Sequence, residues 1–264
     1  MIVIKGAGDL ASGVAVRLAH CGFSILMTDL SHPTSIRRTV CFSEAILKGA
    51  FTVEDVTAEY AETVEEVHSI HMRGHIAVLA DPKADCIKVL RPDVVVDAIL
   101  AKRNLGTKIT DAPVVIALGP GFTAGVDCHA VIETMRGHDL GRVVLNGSAE
   151  PNTGIPGNIS GFTTERVLRA PKDGTFTEIR HIGDIVEKDE PVASVDGETI
   201  TATIAGVIRG LLPTGTPVHE GMKSGDIDPR PIQSHCYTLS DKARAIGGGV
   251  LEAILMLQRR NADV

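Results

Sequence analysis

Gly6-Ala7-Gly8-Asp9-Leu10-Ala11 follows the apolar run Met1-Ile2-Val3-Ile4-Lys5, and Asp29 closes a second apolar run, Phe23 to Thr28. A glycine turn between strand and helix, with an acid about 20 residues on, opens a dinucleotide-binding βαβ unit. Gly6 permits the tight turn, Gly8 lets backbone approach a pyrophosphate, and Ala11 allows close helix-to-sheet packing. The diphosphate rests on the helix N-terminus, where N–H groups and the dipole favour negative charge. Asp29 accepts from a ribose 2′-hydroxyl and repels a 2′-phosphate, so the turn favours NAD over NADP.

Other residues offer further chemistry. Gly119-Pro120-Gly121-Phe122-Thr123-Ala124-Gly125 follows an apolar run, and its N–H groups form either an anion nest for a phosphate or a plain turn. Asp127, His129 and Glu133 share one face of a strand, so a carboxylate could orient His129 as base or ligand; a solvated polar face is the alternative. No three-ligand zinc spacing such as H-x-x-x-H is present, and no metal is expected. Cys236, preceded by His235 and followed by the basic, glycine-rich stretch Lys242 to Gly249, is the cysteine whose thiolate a nearby cation would favour. A chalcogen relay or a contact to a molybdenum ligand sphere is its functional reading, a packed thiol its structural one. Asp226, Asp228 and Arg230 either bind magnesium or pair with one another, and pairing is expected. Lys102-Arg103-Asn104, just past a strand end, suits an anionic ligand better.

These residues need a scaffold, and 264 residues suffice for two domains. An apolar fraction of 44% with 22% charged residues is globular. A net charge of −7 argues against nucleic-acid or anionic-membrane partners, as does the absence of tryptophan. Cys21, Cys41, Cys86, Cys128 and Cys236 form no C-x-x-C pair and are expected reduced. No run reaches a membrane span, and the N-terminus reads as a core strand rather than a secretory signal. A cytoplasmic protein is expected, in which Asn158-Ile159-Ser160 is a chance glycosylation match.

Further apolar runs at Thr39–Phe42, His75–Ala80, Val94–Ile99 and Pro113–Leu118 alternate with helical patterns at Ser43–Lys48 and Thr63–Arg73. The fold class is α/β, a Rossmann-like, mainly parallel sheet in a nucleotide-binding domain over residues 1–164. Ligands of such sheets bind beyond the strands' carboxyl ends, here Asp29, Asp81, Asp97 and Gly119. Asp127–Glu133 and Arg142–Leu145 read as two further strands. Residues 165–230 hold short β runs punctuated by Gly and Asp, an all-β module. Residues 231–264 form a C-terminal segment with a Ser240-Asp241 cap, a triple glycine and an amphipathic helical run, Val250–Leu257, packing on the first domain.

The β module resembles the biotinyl/lipoyl barrel through Ala170-Pro171-Lys172-Asp173-Gly174, Ile182-Gly183-Asp184-Ile185-Val186 and Ala205-Gly206-Val207-Ile208. That resemblance implies a lysine at a hairpin tip, but Val195-Asp196-Gly197-Glu198-Thr199 has none, so no biotin or lipoyl attachment is expected. Lys5 to Gly13, Gly119 to Phe122, Asp127 to Asp139, Gly225 to Arg230 and Asp241 to Ala253 together resemble the YqeB-type accessory proteins of selenium-dependent molybdenum hydroxylase systems. The resemblance implies a maturation factor that binds a nucleotide or molybdopterin-type cofactor and partners a molybdenum hydroxylase subunit. It implies no defined reaction. An NAD-dependent oxidoreductase and a non-catalytic nucleotide sensor stay open, and a homo-oligomer is the default expectation.

Overall fold

The computed structural model describes residues 1–262. Short runs of β-branched and other apolar residues form the strands of the first sheet: β1 (Ile2–Lys5), β2 (Ile25–Thr28), β3 (Ala50–Val53), β4 (Val56–Ala61), β5 (Ile76–Leu79), β6 (Val94–Asp97), β7 (Val114–Leu118), β8 (Ala130–Ile132) and β9 (Val143–Val144). The strands β1, β2, β5, β6, β7 and β8 are buried along their length, which is what a parallel sheet covered on both faces demands. Their order is β3-β4-β5-β2-β1-β6-β7-β8-β9. Only β3 and β9, the two edges, run antiparallel to their neighbours. Chain order reverses between β1 and β6, and such a switch point opens a crevice at the carboxyl ends of the strands.

Helices close both faces. Val3, Leu26, Ala77, Val95 and Val115 point to one side, where Val67 and Ile70 of α3 (Glu66–Met72) and Cys86 of α4 (Cys86–Leu90) join Phe122 and Cys128 in one core. The opposite face is covered by α1 (Asp9–His20) over β1 and β2, and by α5 (Asp241–Ala262) over β7, β8 and β9. A short α2 (Glu44–Lys48) packs on β3 to β5. Ser240 caps α5, its Oγ accepting from Ala243 N–H at 3.1 Å. Each interior glycine costs a helix about 1 kcal/mol. Here the missing side chains permit contact: a Cβ on Gly247 would lie 2.9 Å from Gly13 O, and one on Gly13 2.6 Å from the Ala243 Cβ. The helix thus starts at the Ser240 cap and runs through the triple glycine, well before the amphipathic stretch at Val250.

Two local expectations are corrected. Thr39–Phe42 is not a strand: Arg38–Val40 is a 3-10 turn, with Thr39 Oγ1 donating to Cys236 O. The β3–β4 hairpin had no counterpart in the sequence reading; its alternating pattern is interrupted by Glu54, which takes a left-handed φ of 57° in the turn.

The chain divides into two compact units, one holding residues 1–33, 41–153 and those from Leu239 onward, the other holding 34–40 with 154–238. The sequence reading drew its boundaries at 164 and 230. Residues 231–238 join the second unit because Cys236 sits in its core and Tyr237 Oη donates to Ile182 O at 3.0 Å. Its strands are β10 (Val167–Arg169), β11 (Gly174–Glu178), β12 (Ile185–Val186), β13 (Pro191–Val195), β14 (Glu198–Thr201), β15 (Gly206–Leu211), β16 (Pro217–Val218) and β17 (Lys223–Asp228). They form two antiparallel sheets, β10-β17-β15-β12 and β14-β13-β11-β16, around Phe176, Val192, Ile208 and Leu211. Among the described residues, no helix is long and apolar enough to cross a membrane.

Candidate functional site

The first glycine turn lies at the carboxyl end of β1. Gly6 holds φ +99°, and a Cβ there would meet Ala98 O at 2.9 Å, so both conformation and space exclude a side chain. Gly8 caps α1 in extended geometry without a side-chain acceptor, and Ser12 N–H closes the first helical bond to Gly8 O at 2.8 Å. Gly8, Asp9 and Leu10 are partly exposed, whereas Ala7 and Ala11 are buried. Asp29, past the end of β2, braces this turn: its Oδ2 accepts Ala7 N–H at 2.8 Å and its Oδ1 accepts Leu30 N–H at 2.8 Å. Burial pushes the Asp29 carboxyl up, opposed by those two hydrogen bonds. Each carboxylate oxygen keeps a further lone pair for a ligand hydroxyl.

The second turn lies at the carboxyl end of β7. Gly119 has φ +71° and a Cβ there would strike Thr134 Oγ1 at 2.6 Å; Gly121 has φ +106° and a Cβ would lie 2.6 Å from Arg103 Cα. Several N–H groups expected to form an anion nest are spent inside the fold. Gly119 donates to Ile132 O, Ala124 to Gly147 O, Gly125 to Cys128 O and Thr123 to Asp127 Oδ2. Pro120 is half-buried, and Phe122 is packed into the sheet core. What the turn brings to the site is close contact with Lys102 and Arg103.

Those two cations are exposed, on the loop that leaves β6. The loop touches the first turn through Ala98 and the second through Lys102 and Arg103. Leu100 and Lys102 adopt left-handed φ of 60° and 61°, unusual for residues with side chains. Asn104 organises the far half: its Oδ1 accepts Gly106 and Thr107 N–H, each at 2.8 Å, and its Nδ2 donates to Thr107 O at 2.8 Å. Beneath the loop lies a buried ion pair. Lys5 Nζ stands 3.4 Å from Asp97 Oδ2 and donates to Thr107 Oγ1, which donates to Asp97 Oδ2 at 2.5 Å.

Near the first turn, at the start of α5, Lys242 is half-buried. Burial pushes its ammonium down, as does the charge of Arg136, while Asp9, Glu133 and Asp241 oppose the shift. Glu133 is itself held by Met135 N–H at 2.6 Å and Glu150 N–H at 2.7 Å.

Of the remaining sequence candidates, Asp127 joins this arrangement as a brace between the second turn and the loop, and the others lie elsewhere. Asp127 and His129 do not pair. Asp127 accepts Thr123 N–H at 2.8 Å and lies 3.3 Å from the Asn104 amide. His129 precedes β8 at the amino end of the sheet, and its Nδ1 accepts Val115 N–H at 2.9 Å; burial pushes its pKa down. For Cys236 the geometry favours the packed-thiol reading over the reactive one. That thiol is fully buried in the second unit, donates to Ile208 O at 3.5 Å and is pushed up by burial, the opposite of activation. Asp228 pairs with Arg230 at 2.7 Å, the pairing expected over magnesium binding, whereas Asp226 pairs with Arg166 at 3.0 Å rather than with Arg230. Among the described residues no three His, Cys, Asp or Glu side chains gather as a metal site would need.

The Lys5–Asp97–Thr107 triad escaped sequence reasoning. Its signal is positional: a charge ends each of two apolar runs, IVIK and VVVD, and the parallel register sets Lys5 opposite Asp97.

No family model matches the chain. Over 260 residues, 98% of its length, it is 52% identical to the Escherichia coli K12 protein named "Uncharacterized protein YqeB", and spans 48% of it, about half of that relative's length. Among solved structures, an aspartoacylase family protein from Mesorhizobium loti is 11% identical, with 77% of this chain and 56% of that one covered and a TM-score of 0.23. The product-bound ectoine utilization protein EutE of Ruegeria pomeroyi is also 11% identical, covering 77% and 57% at a TM-score of 0.25. Likenesses this slight carry no argument.

Proposed function

We propose that this chain, YqeB-like along 98% of its length, binds a nucleotide or molybdopterin-type cofactor at the carboxyl ends of β1, β6 and β7, as an accessory factor for a molybdenum hydroxylase. The observation that carries the binding step is the meeting of the two glycine turns with one loop, which touches the first through Ala98 and presents Lys102 and Arg103 beside the second. A phosphate set at the start of α1 receives helix N–H groups from below. Lys102 supplies a point charge and Arg103 a planar fork suited to phosphate oxygens. The first sheet is read as Rossmann-like, and the second unit as a biotinyl/lipoyl-like docking module. The latter's hairpin turns at Asp196 and Gly197 and offers no lysine for a prosthetic group.

The accessory role rests on the resemblance to the selenium-dependent hydroxylase systems, and a hydroxylase subunit is its proposed partner. An NAD-dependent oxidoreductase is the second reading. Its support is Asp29, braced against the first turn where a ribose 2′-hydroxyl would lie.

Calorimetric titration of the chain with NAD, FAD, CTP and a molybdopterin nucleotide tests the proposal, with Gly8→Val and Lys102→Ala/Arg103→Ala as controls. Saturable binding of a pterin nucleotide, lost in both variants, together with retention of a hydroxylase subunit on the immobilised chain, is the expected result. Binding of NAD alone with substrate-dependent NADH absorbance selects the oxidoreductase. Binding that ignores both variants removes the site.

A further inference from the structure

The buried ion pair beneath the exposed cations is a poor device for stability. Desolvation of both charges largely offsets their attraction, and well-packed apolar residues often serve as well. The residues preceding them on the same two strands, Ile4 and Val96, are fully buried and apolar. What Lys5 and Asp97 do that two leucines cannot is hold a third group directionally. Thr107 Oγ1 accepts from Lys5 Nζ and donates to Asp97 Oδ2. The near end of the same loop is fixed to the same two residues, because Ala98 N–H donates to Lys5 O at 2.8 Å and Ile99 N–H to Asp97 Oδ1 at 3.2 Å. Both ends of the segment from Ala98 to Thr107 are therefore fastened to the same two residues, the near end through the Lys5 backbone carbonyl and the Asp97 carboxylate and the far end through both charged side chains. Between them stand Leu100 and Lys102 in left-handed conformations, which persist only where surroundings over-determine them.

We propose that Thr107 is a positioning residue: fastened to Lys5 and Asp97, it pre-sets Lys102 and Arg103 beside the second glycine turn for a ligand carrying two linked phosphates. This inference rests on the ligand site proposed above and names what makes it competent before the ligand arrives. Two consecutive cations at the second glycine turn, on a loop that borders the first turn through Ala98, match a diphosphate better than a single phosphate or carboxylate. If the competent loop conformation falls from dominant to about one molecule in ten, apparent affinity falls about tenfold.

The test uses the full chain, with ADP as calorimetric probe and trypsin as a ligand-free reporter of the loop, since Lys102 and Arg103 are its cleavage points. In Thr107→Val, with circular dichroism unchanged, ADP affinity is expected to fall about tenfold and cleavage after Lys102 and Arg103 to accelerate about as much. Thr107→Ser, which keeps the hydroxyl, restores both. In a Lys102→Ala/Arg103→Ala background, Thr107→Val has no further effect on residual binding, an interaction that general destabilisation would not produce. Should Thr107→Val not fold, the serine variant and trypsin cleavage of Asn104→Ala, which loosens the same loop, replace it. Native affinity and unchanged cleavage in Thr107→Val would overturn the positioning role and leave the site standing. Absence of ADP binding by the native chain, or binding indifferent to Lys102 and Arg103, would overturn the site and the inference together.

Discussion

Replacing Gly121 with alanine probes the junction on which the site depends. Two costs can be separated. The φ of +106° lies where a side chain is strained, on the order of 1–2 kcal/mol. The new Cβ would also lie 2.6 Å from both Arg103 Cα and Arg103 N and 2.8 Å from the Lys102 carbonyl carbon, all backbone atoms without rotamer freedom. Overpacking of this kind costs about 1–3 kcal/mol. Gly125 is the internal control: its φ is +86°, and a Cβ there meets nothing within 4 Å, so Gly125→Ala bears the conformational cost alone. Gly121→Ala should therefore be the more destabilising by about 1–3 kcal/mol, and it should displace Lys102 and Arg103 while Gly125→Ala does not. Urea unfolding followed by far-ultraviolet circular dichroism suits a chain without tryptophan. Trypsin cleavage after Lys102 and Arg103, measured below the transition, reports the loop. Equal midpoints and equal cleavage rates for the two variants would refute the claim that the second turn supports this loop by contact.

Further outcomes follow from the same structure. Lys5→Met strands the Asp97 carboxylate at 2% exposure and should cost about 3–5 kcal/mol, most of it recovered in Lys5→Met/Asp97→Val; a double variant no more stable than the single in urea would contradict this. Cys21 is exposed and the other four thiols are buried, with Cys86 and Cys128 pushed up to about 12 by burial, so an alkylating reagent at pH 8 should modify the native chain only at Cys21. Mass spectrometric labelling of Cys236 before unfolding would contradict the packed-thiol assignment. The Glu59 carboxyl is held down to about 2 by hydrogen bonds from Arg73 and His75, so its stabilising contribution is complete above its usual 4.5 and lost as pH falls through about 2. Arg73→Ala should raise the NMR titration midpoint of Glu59, and an unmoved midpoint would discount the pairing. For Lys242 the sign is reversed: burial lowers its folded pKa, so the unfolded chain binds the extra proton between that lowered value and 10.5, and stability rises with pH there. Lys242→Met should flatten that rise in urea midpoints taken from pH 8 to 10.

The parallel core was legible because β1, β2, β5, β6 and β7 are unbroken apolar runs, and a strand buried on both faces needs little else. The first glycine turn was legible because its conformational demand is local: only glycine accepts φ +99° against Ala98 O. By contrast, β17 reads KSGDID, and its burial comes from pairing with β10 and β15 rather than from apolar side chains of its own. Cys236 looked reactive from its neighbours in sequence, but in space it meets the Ile208 carbonyl and an apolar core, and its burial outweighs the charges of Arg37 and Arg209, a balance no local pattern encodes. Asp127 and His129 are a similar case: strand alternation puts them on one face, yet Asp127 is taken up by the turn before the strand begins. Lys102 and Arg103 were singled out from their place after a strand end, whereas the fastening at Thr107 requires knowing that β1 and β6 are adjacent.

Neither compact unit is a continuous stretch of chain, and this bears on the order in which the protein can be made. All of the second unit, residues 34–40 and 154–238, has been synthesised before α5 exists. Until α5 emerges, the face of β7, β8 and β9 that it covers has no lining, and Gly13 and Gly141 have no partner to receive. On a ribosome the β-rich unit can therefore mature first, while the parallel sheet waits, apolar and open, for α5 to emerge. A stop codon near Leu239 would spare the unit completed early and leave the sheet that carries the glycine turns to chaperones and proteases.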